Sequence, residues 1–236
     1  MSNQIKFVGL HAHSVFSVFD GLGYPQDHID FAIENGMDAL ALTDHGNMNG
    51  LAYQVLHSKR LQKEGKNFKP IFGIEGYFID SVAKWKEEKA EIDKNKKGRK
   101  AKEENSAVVI EDEEATKRQE KNILNRRAHL VLLAQNQTGL NNLFTIVSKS
   151  FDPNNFYRYP RIDYEMLREH NEGIIVSSAC MGGPLSKDYW NNREEGDDAV
   201  QRAMVSTIEN FTSIFGDRFY GELQWNSIPE QHEINK

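Results

Sequence analysis

Brief apolar runs alternate with helical stripes along this chain. Residues 5–10 (IKFVGL), 39–43 (ALALT), 70–79 (PIFGIEGYFI), 130–134 (LVLLA), 173–177 (GIIVS) and 218–223 (RFYGEL) are short and mostly continuous in apolar character. Such runs read as strands buried on both faces. Between them the apolar spacing lengthens to three or four. Ile29, Ala32 and Ile33 predict a helix over 25–35, stopped by Gly36. Helical spacing returns over 51–61, through Leu140, Leu143, Phe144 and Val147, over a short stretch at 162–170, and over 199–215. Strands alternating with helices predict an α/β fold with a parallel sheet. A polar residue recurs at strand ends, as in a barrel that gathers its site on one face.

Residues 81–127 interrupt this rhythm. They are dense in Lys and Glu, and KNKKGRKAKEEN has almost no apolar content. That composition buries too little surface to offset the entropy of ordering, so the segment reads as an insertion, part disordered and part solvated helix. A backbone-binding role for KNKKGRK is opposed by the acids that flank it.

Composition narrows the function classes. The 236 residues suit one domain, and 39% apolar content supports a core. No apolar run approaches the roughly 20 residues of a membrane helix, and no signal pattern precedes His11. One cysteine excludes an internal disulfide and fits a reducing, cytoplasmic setting. A net charge of −6 argues against a domain that wraps nucleic acid unaided.

The candidate chemistry lies at the ends of the runs. His11 and His13 are two residues apart, so on an extended chain they project to one side as a pair of potential metal ligands. Exposed strand histidines are the plainer alternative. Asp20, before Gly21, offers a hard oxygen or simply a turn. Thr43-Asp44-His45-Gly46 leaves a buried run, with His45 a ligand and Asp44 the candidate catalytic acid that orients a ligand or a water. Glu75 interrupts an apolar strand, which is costly unless it is paired or metal-bound. His129 opens a run, and Cys180 closes one as either a small hydrophobe or a thiolate. Nitrogen, carboxylate and one sulfur suit Zn²⁺ or Mn²⁺, with Fe²⁺ a further option. Arg158 and Arg161, in a tyrosine-rich loop, are candidates to steer a phosphate, with an ordinary solvated loop as the alternative.

The order HAH, Asp-Gly, TDHG, GIEGY, HLVLLA and SSAC resembles the PHP (polymerase and histidinol phosphatase) family. Longer phrases, among them HAHSVFSVFDGLG, LTDHGNMNGL and YPRIDYEMLREHNEGIIVSSACMGG, are similar to the N-terminal region of bacterial-type replicative DNA polymerase III alpha subunits. The likeness spans nearly everything except 81–127. It implies an α/β fold, a distorted seven-stranded β/α barrel of TIM-like kind, incomplete at its C-terminal end. It implies up to three divalent ions on His11, His13, Asp20, His45, Glu75, His129 and Cys180. The activity implied is metal-dependent phosphoester hydrolysis, such as 3′→5′ excision at a DNA end, within a DNA-directed DNA polymerase. The family pattern closes with an Asp-x-His pair after one more helix and strand, which this chain does not reach. The expectation is therefore a single PHP domain over 1–236, completed by the rest of an alpha subunit, which brings DNA and other replisome subunits but no membrane. Two alternatives remain: a catalytically silent scaffold that docks a proofreading partner, and a stand-alone histidinol-phosphatase-like enzyme.

Overall fold

The computed structural model describes residues 7–103 and 113–236, with the side chains of 99–113 outside that description. The start of the first apolar run and the side chains of the basic stretch beyond residue 98 therefore lie outside the description. In chain order the elements are α1 (Pro25–Glu34), β1 (Ala39–Leu42), α2 (Leu51–Lys63), β2 (Lys69–Phe78), α3 (Val82–Glu103), α4 (Glu113–Asn125), β3 (Ala128–Ala134) and α5 (Gln137–Ser150). Then come β4 (Phe156–Tyr157), β5 (Tyr159–Ile162), α6 (Tyr164–Glu169), β6 (Ile174–Ser177), α7 (Pro184–Asn192), α8 (Asp197–Phe215), β7 (Phe219–Tyr220) and α9 (Pro229–Ile234).

The class is α/β, as the alternation predicts, and the strands lie in one sheet whose hub is β2. One edge of β2 carries β1 in parallel along its first half and β5 in parallel at its last residues. A bridge from His45 to Glu75 continues that edge between them. The other edge carries β3, antiparallel, with Tyr77 opposite His129 and Glu75 opposite Val131. β6 is antiparallel to β3, and β7 is parallel to β6.

The sheet thus differs from the all-parallel expectation at β3. The reason lies in the insertion. α3 and α4 pack on each other as a hairpin of helices and return the chain to the end of the sheet it left. The next strand must then run backwards. Composition also underestimates this segment, because Val82, Trp85, Ile92 and Leu124 are buried. Asp163, the N-cap of α6, also accepts the Val82 backbone N–H at 2.8 Å, tying the start of α3 to the body of the fold.

The main core lies between the sheet and the helices α5, α6 and α8. Ile74, Phe78, Leu130, Leu132, Leu143, Ile146, Phe211 and Phe215 are all almost fully buried there. Each contributes about 1.5–3 kcal/mol relative to exposure. α5 starts cleanly because the Asn136 side chain accepts the Gly139 N–H at 2.9 Å. The periodicity reading missed α7 and the β4–β5 hairpin, and it made the last strand too long.

Among the described residues the sheet does not close on itself and leaves an open seam. Residues 9–12 run beside β1, where Gly9 and Ala12 carbonyls accept from Ala41 and Thr43 N–H at 2.8 Å each. β7 stands at the opposite limit of the sheet. Among the described residues no backbone hydrogen bond joins 9–12 to 219–226. A cleft of about 1200 Å³ lies there, lined in part by Leu10, Val131, Ile175, Leu223 and Trp225. No helix among the described residues is long and apolar enough to cross a membrane.

Candidate metal centre

Glu75 sits at the middle of the polar end of the sheet and is only 1% exposed. Four imidazoles surround it. Its Oε1 lies 3.2 Å from His11 Nε2 and 3.1 Å from His129 Nδ1. Its Oε2 lies 3.3 Å from His13 Nε2 and 2.8 Å from His45 Nδ1. Asp20, half exposed, places Oδ2 3.1 Å from His45 Nε2 and 4.0 Å from His13 Nδ1. The Cys180 sulfur is 3.6 Å from both Glu75 Oε1 and His129 Nδ1. The seven residues singled out from the sequence therefore share one space.

Local structure explains how. His11 and His13 follow Gly9 on an extended stretch held by β1, and their period of two brings Nε2 of one to 3.2 Å from Nε2 of the other. Asp20 is held by a tight return of the loop: a Cβ on Gly21 would sit 1.9 Å from the Ser14 carbonyl oxygen. His45 leaves the end of β1, and Glu75 lies on β2. His129 stands at the beginning of β3, and it reaches the same rim only because β3 is antiparallel.

Second contacts orient the rings. His11 Nδ1–H donates to Glu222 Oε1 at 2.7 Å, and Ser177 Oγ–H donates to the other oxygen of Glu222. Asp44 accepts from Ser14 N–H and Ser14 Oγ–H at 2.7 Å and from Ser17 Oγ–H at 2.8 Å. Ser17 Oγ in turn lies 2.9 Å from His13 Nδ1 and so accepts its proton. Both His11 and His13 are thereby left with bare Nε2 lone pairs facing one another. Asp44 does not face the reaction space as a catalytic acid would. It is 3% exposed, its oxygens are occupied, and it acts on His13 through Ser17.

The donor set fits divalent cations. Three overlapping groups have ligand atoms within 4.8 Å of one another: His11, His13 and Glu75; His13, Asp20 and His45; and His45, Glu75 and His129. Two nitrogens bound at about 2.0–2.1 Å around a tetrahedral ion stand about 3.3–3.4 Å apart, close to the His11–His13 spacing. His45 Nδ1 and Glu75 Oε2 are buried and 2.8 Å apart, close enough to share either a proton or a cation. Without a cation, protons take its place. Burial opposes charge on His11, but Glu222 and Glu75 outweigh it and raise its pKa to about 9. His45 is raised in the same way, with Glu75 the main opposing influence. Burial disfavours a charged Glu75, yet the histidines around it hold it far below the usual carboxylate range. Burial and Glu75 raise Cys180 to about 11.

The arginines chosen from the sequence are elsewhere. Arg161 does not steer a phosphate, because it is fully buried. It donates to the Tyr157, Tyr159 and Leu124 carbonyls and lies 4.2 Å over Trp85. Arg158 is exposed at the hairpin turn, with φ of 60° and its guanidinium over Tyr157. Sequence reasoning missed Glu222, although it follows an apolar run by the same rule that singled out the other acids. It also missed Ser17, for which a lone serine carries no signal.

The PHP domain family matches residues 9–226. The chain is 34% identical over 231 residues to a DNA polymerase III subunit alpha of Aquifex aeolicus, covering 98% of this chain and 16% of that protein. It is 31% identical over 238 residues to the corresponding subunit of Thermus aquaticus, covering 100% and 16%. The chain thus spans about a sixth of the length of these relatives. A solved structure from Bifidobacterium adolescentis, assigned as a metal-dependent phosphoesterase, aligns over 98% of this chain at 15% identity and a TM-score of 0.41.

Proposed function

We propose, from the premise that this chain belongs to the PHP domain family, that its polar rim is a phosphoester-hydrolysing centre. The observation that carries the reading is the buried Glu75 carboxylate, with two imidazole nitrogens at each of its oxygens. His11, His13, Asp20, His45, Glu75, His129 and Cys180 would hold up to three divalent ions, with Zn²⁺ or Mn²⁺ suited to the donors and Fe²⁺ next. Such ions supply an acidified water and neutralise charge on the phosphate. The chain's own groups do the rest. Glu222 keeps the Nδ1 proton of His11, and Ser17, backed by Asp44, keeps that of His13. Each presents Nε2 in a fixed orientation.

The relatives support a place in a replicative polymerase, where the reaction would be 3′→5′ excision at a DNA end. The partner would then be the remainder of an alpha subunit. The seam supports this, since it leaves two unpaired strand edges around an apolar cleft that opens beside His11. A strand from a companion segment would close the ring and bring further ligands to it. DNA, and other replisome subunits, would be met through that larger assembly.

Elemental analysis of the purified chain, followed by assay on a 3′-labelled oligonucleotide and a small phosphomonoester, tests the reading. Bound Zn, Mn or Fe with release of 3′ nucleotides is expected. Turnover of the small ester alone would favour the histidinol-phosphatase-like alternative. A chain that takes up none of these metals would leave the scaffold reading.

A further inference from the structure

Arg127 sits two residues before His129, at the entrance of β3. Arg127 stands immediately before the first residue of the strand that carries His129 into the centre. Its guanidinium lies 3.7 Å over the Tyr159 ring and 5.5 Å from the Tyr77 ring. Tyr77 in turn stacks on His45 at 5.5 Å and meets His129 edge-on at 5.7 Å. Burial raises the Tyr77 hydroxyl to about 12, with Arg127 acting on it from one side and Glu75 and Asp20 from the other. Arg127 is therefore joined to the ligands His45 and His129 through a single ring, that of Tyr77.

Its partners are too few for a structural arginine. Among the described residues one of its five N–H donors is used, from Nη1 to the Asn125 carbonyl at 3.0 Å. Nε is buried and has no acceptor. Among the described residues no carboxylate pairs with Arg127, whereas its neighbour Arg126 is bound to Glu88. A second cation is close. Lys187, on the first turn of α7, is pushed down to about 8 by burial and by the charge of Arg127, and it lies within electrostatic reach of Cys180. No ion pair joins Lys187 to a carboxylate among the described residues.

We infer that Arg127 is the residue that grips the phosphate of the substrate at this centre, its guanidinium held in place by the Tyr159 ring and its free donors directed to the non-bridging oxygens. This rests on the phosphoester reading above. The ligand class is a phosphate group, on a nucleotide end or a small ester. A planar fork of donors matches two phosphate oxygens at once, and a ring beneath it limits the entropy lost on binding.

The test measures inorganic phosphate binding by calorimetry to the Zn- or Mn-loaded chain, with metal content determined on the same samples. R127Q is expected to keep its metal and bind phosphate about 10- to 100-fold more weakly. R127K, which keeps the charge but loses the fork, should fall between. With a turned-over ester, R127Q should raise KM far more than it lowers kcat, for an oligonucleotide and a small ester alike if phosphate alone is gripped. Unchanged phosphate affinity in both variants overturns the inference, as does a loss of metal in parallel with phosphate in both. A wild-type chain that holds metal but binds no phosphate and cleaves no ester overturns the phosphoester reading itself, a distinct result.

Discussion

Glu75 and Arg161 are the two most deeply buried charges in the described residues, at 1% and 0% exposure. Their surroundings are opposites. Arg161 is held through its two terminal nitrogens by groups that carry no charge and cannot leave, three backbone carbonyls, with the face of Trp85 beneath it and only its Nε without an acceptor. It is a clamp that fixes the α3–α4 insertion to the hairpin. Glu75 is ringed by side chains that titrate and can ligate, four imidazoles and a thiol. Burial alone therefore does not mark a functional charge. What marks it is whether its neighbours are fixed dipoles or exchangeable ligands.

The sharpest way to break the comparison is to remove each charge and read both metal and stability. E75Q should weaken metal binding at least 100-fold by calorimetry, since it removes the buried negative charge and replaces one of the two shared oxygens by an NH2 donor. R161M should leave metal stoichiometry unchanged in the folded protein. It should instead lower unfolding stability by about 3 kcal/mol in denaturant titration, because three buried carbonyls lose their donor. If R161M lost metal and E75Q did not, the contrast would be reversed.

E222Q comes next. The Glu222 carboxylate touches no proposed ion yet holds His11 by its Nδ1 proton, so metal affinity should fall about 10- to 100-fold. Acidity sharpens the same point. The folded-state pKa of His11 is raised to about 9 from 6.5, so in metal-free protein its contribution is complete below pH 6.5 and is lost as pH rises to 9. The melting temperature of chelated protein should fall by roughly 5 °C or more over that window. Metal affinity should move the other way, because ions must displace that proton and the one on Cys180. The smallest effect is a control remote from both charges. N136A removes the cap of α5 and should cost about 1 kcal/mol with no change in metal content.

Much of the centre was legible because its signals are local. A period of two puts His11 and His13 together whatever surrounds them, and an acid inside an apolar strand is conspicuous at Glu75. The order of the remaining ligands came from resemblance, since nothing in single-residue chemistry separates His129 from an ordinary strand histidine. The arginines show the limit. Arg158 and Arg161 drew attention for lying among tyrosines, yet Arg127, in an unremarkable Arg-Arg pair, is the one that a single ring joins to the ligands.

By itself, then, the sequence determined the α/β class, the amphipathic helices, the pairing of His11 with His13 and the cost of burying Glu75. These follow from periodicity and side-chain chemistry, which act over a few residues. Only the tertiary structure decided that β3 runs backwards, that Glu222 and Ser17 hold the rings, that Arg161 is spent on carbonyls, and that a seam stays open beside His11. Those outcomes depend on which edges meet and which donors find acceptors across long separations. An arginine carries the same charge in either place, and only its neighbours decide whether that charge is already used.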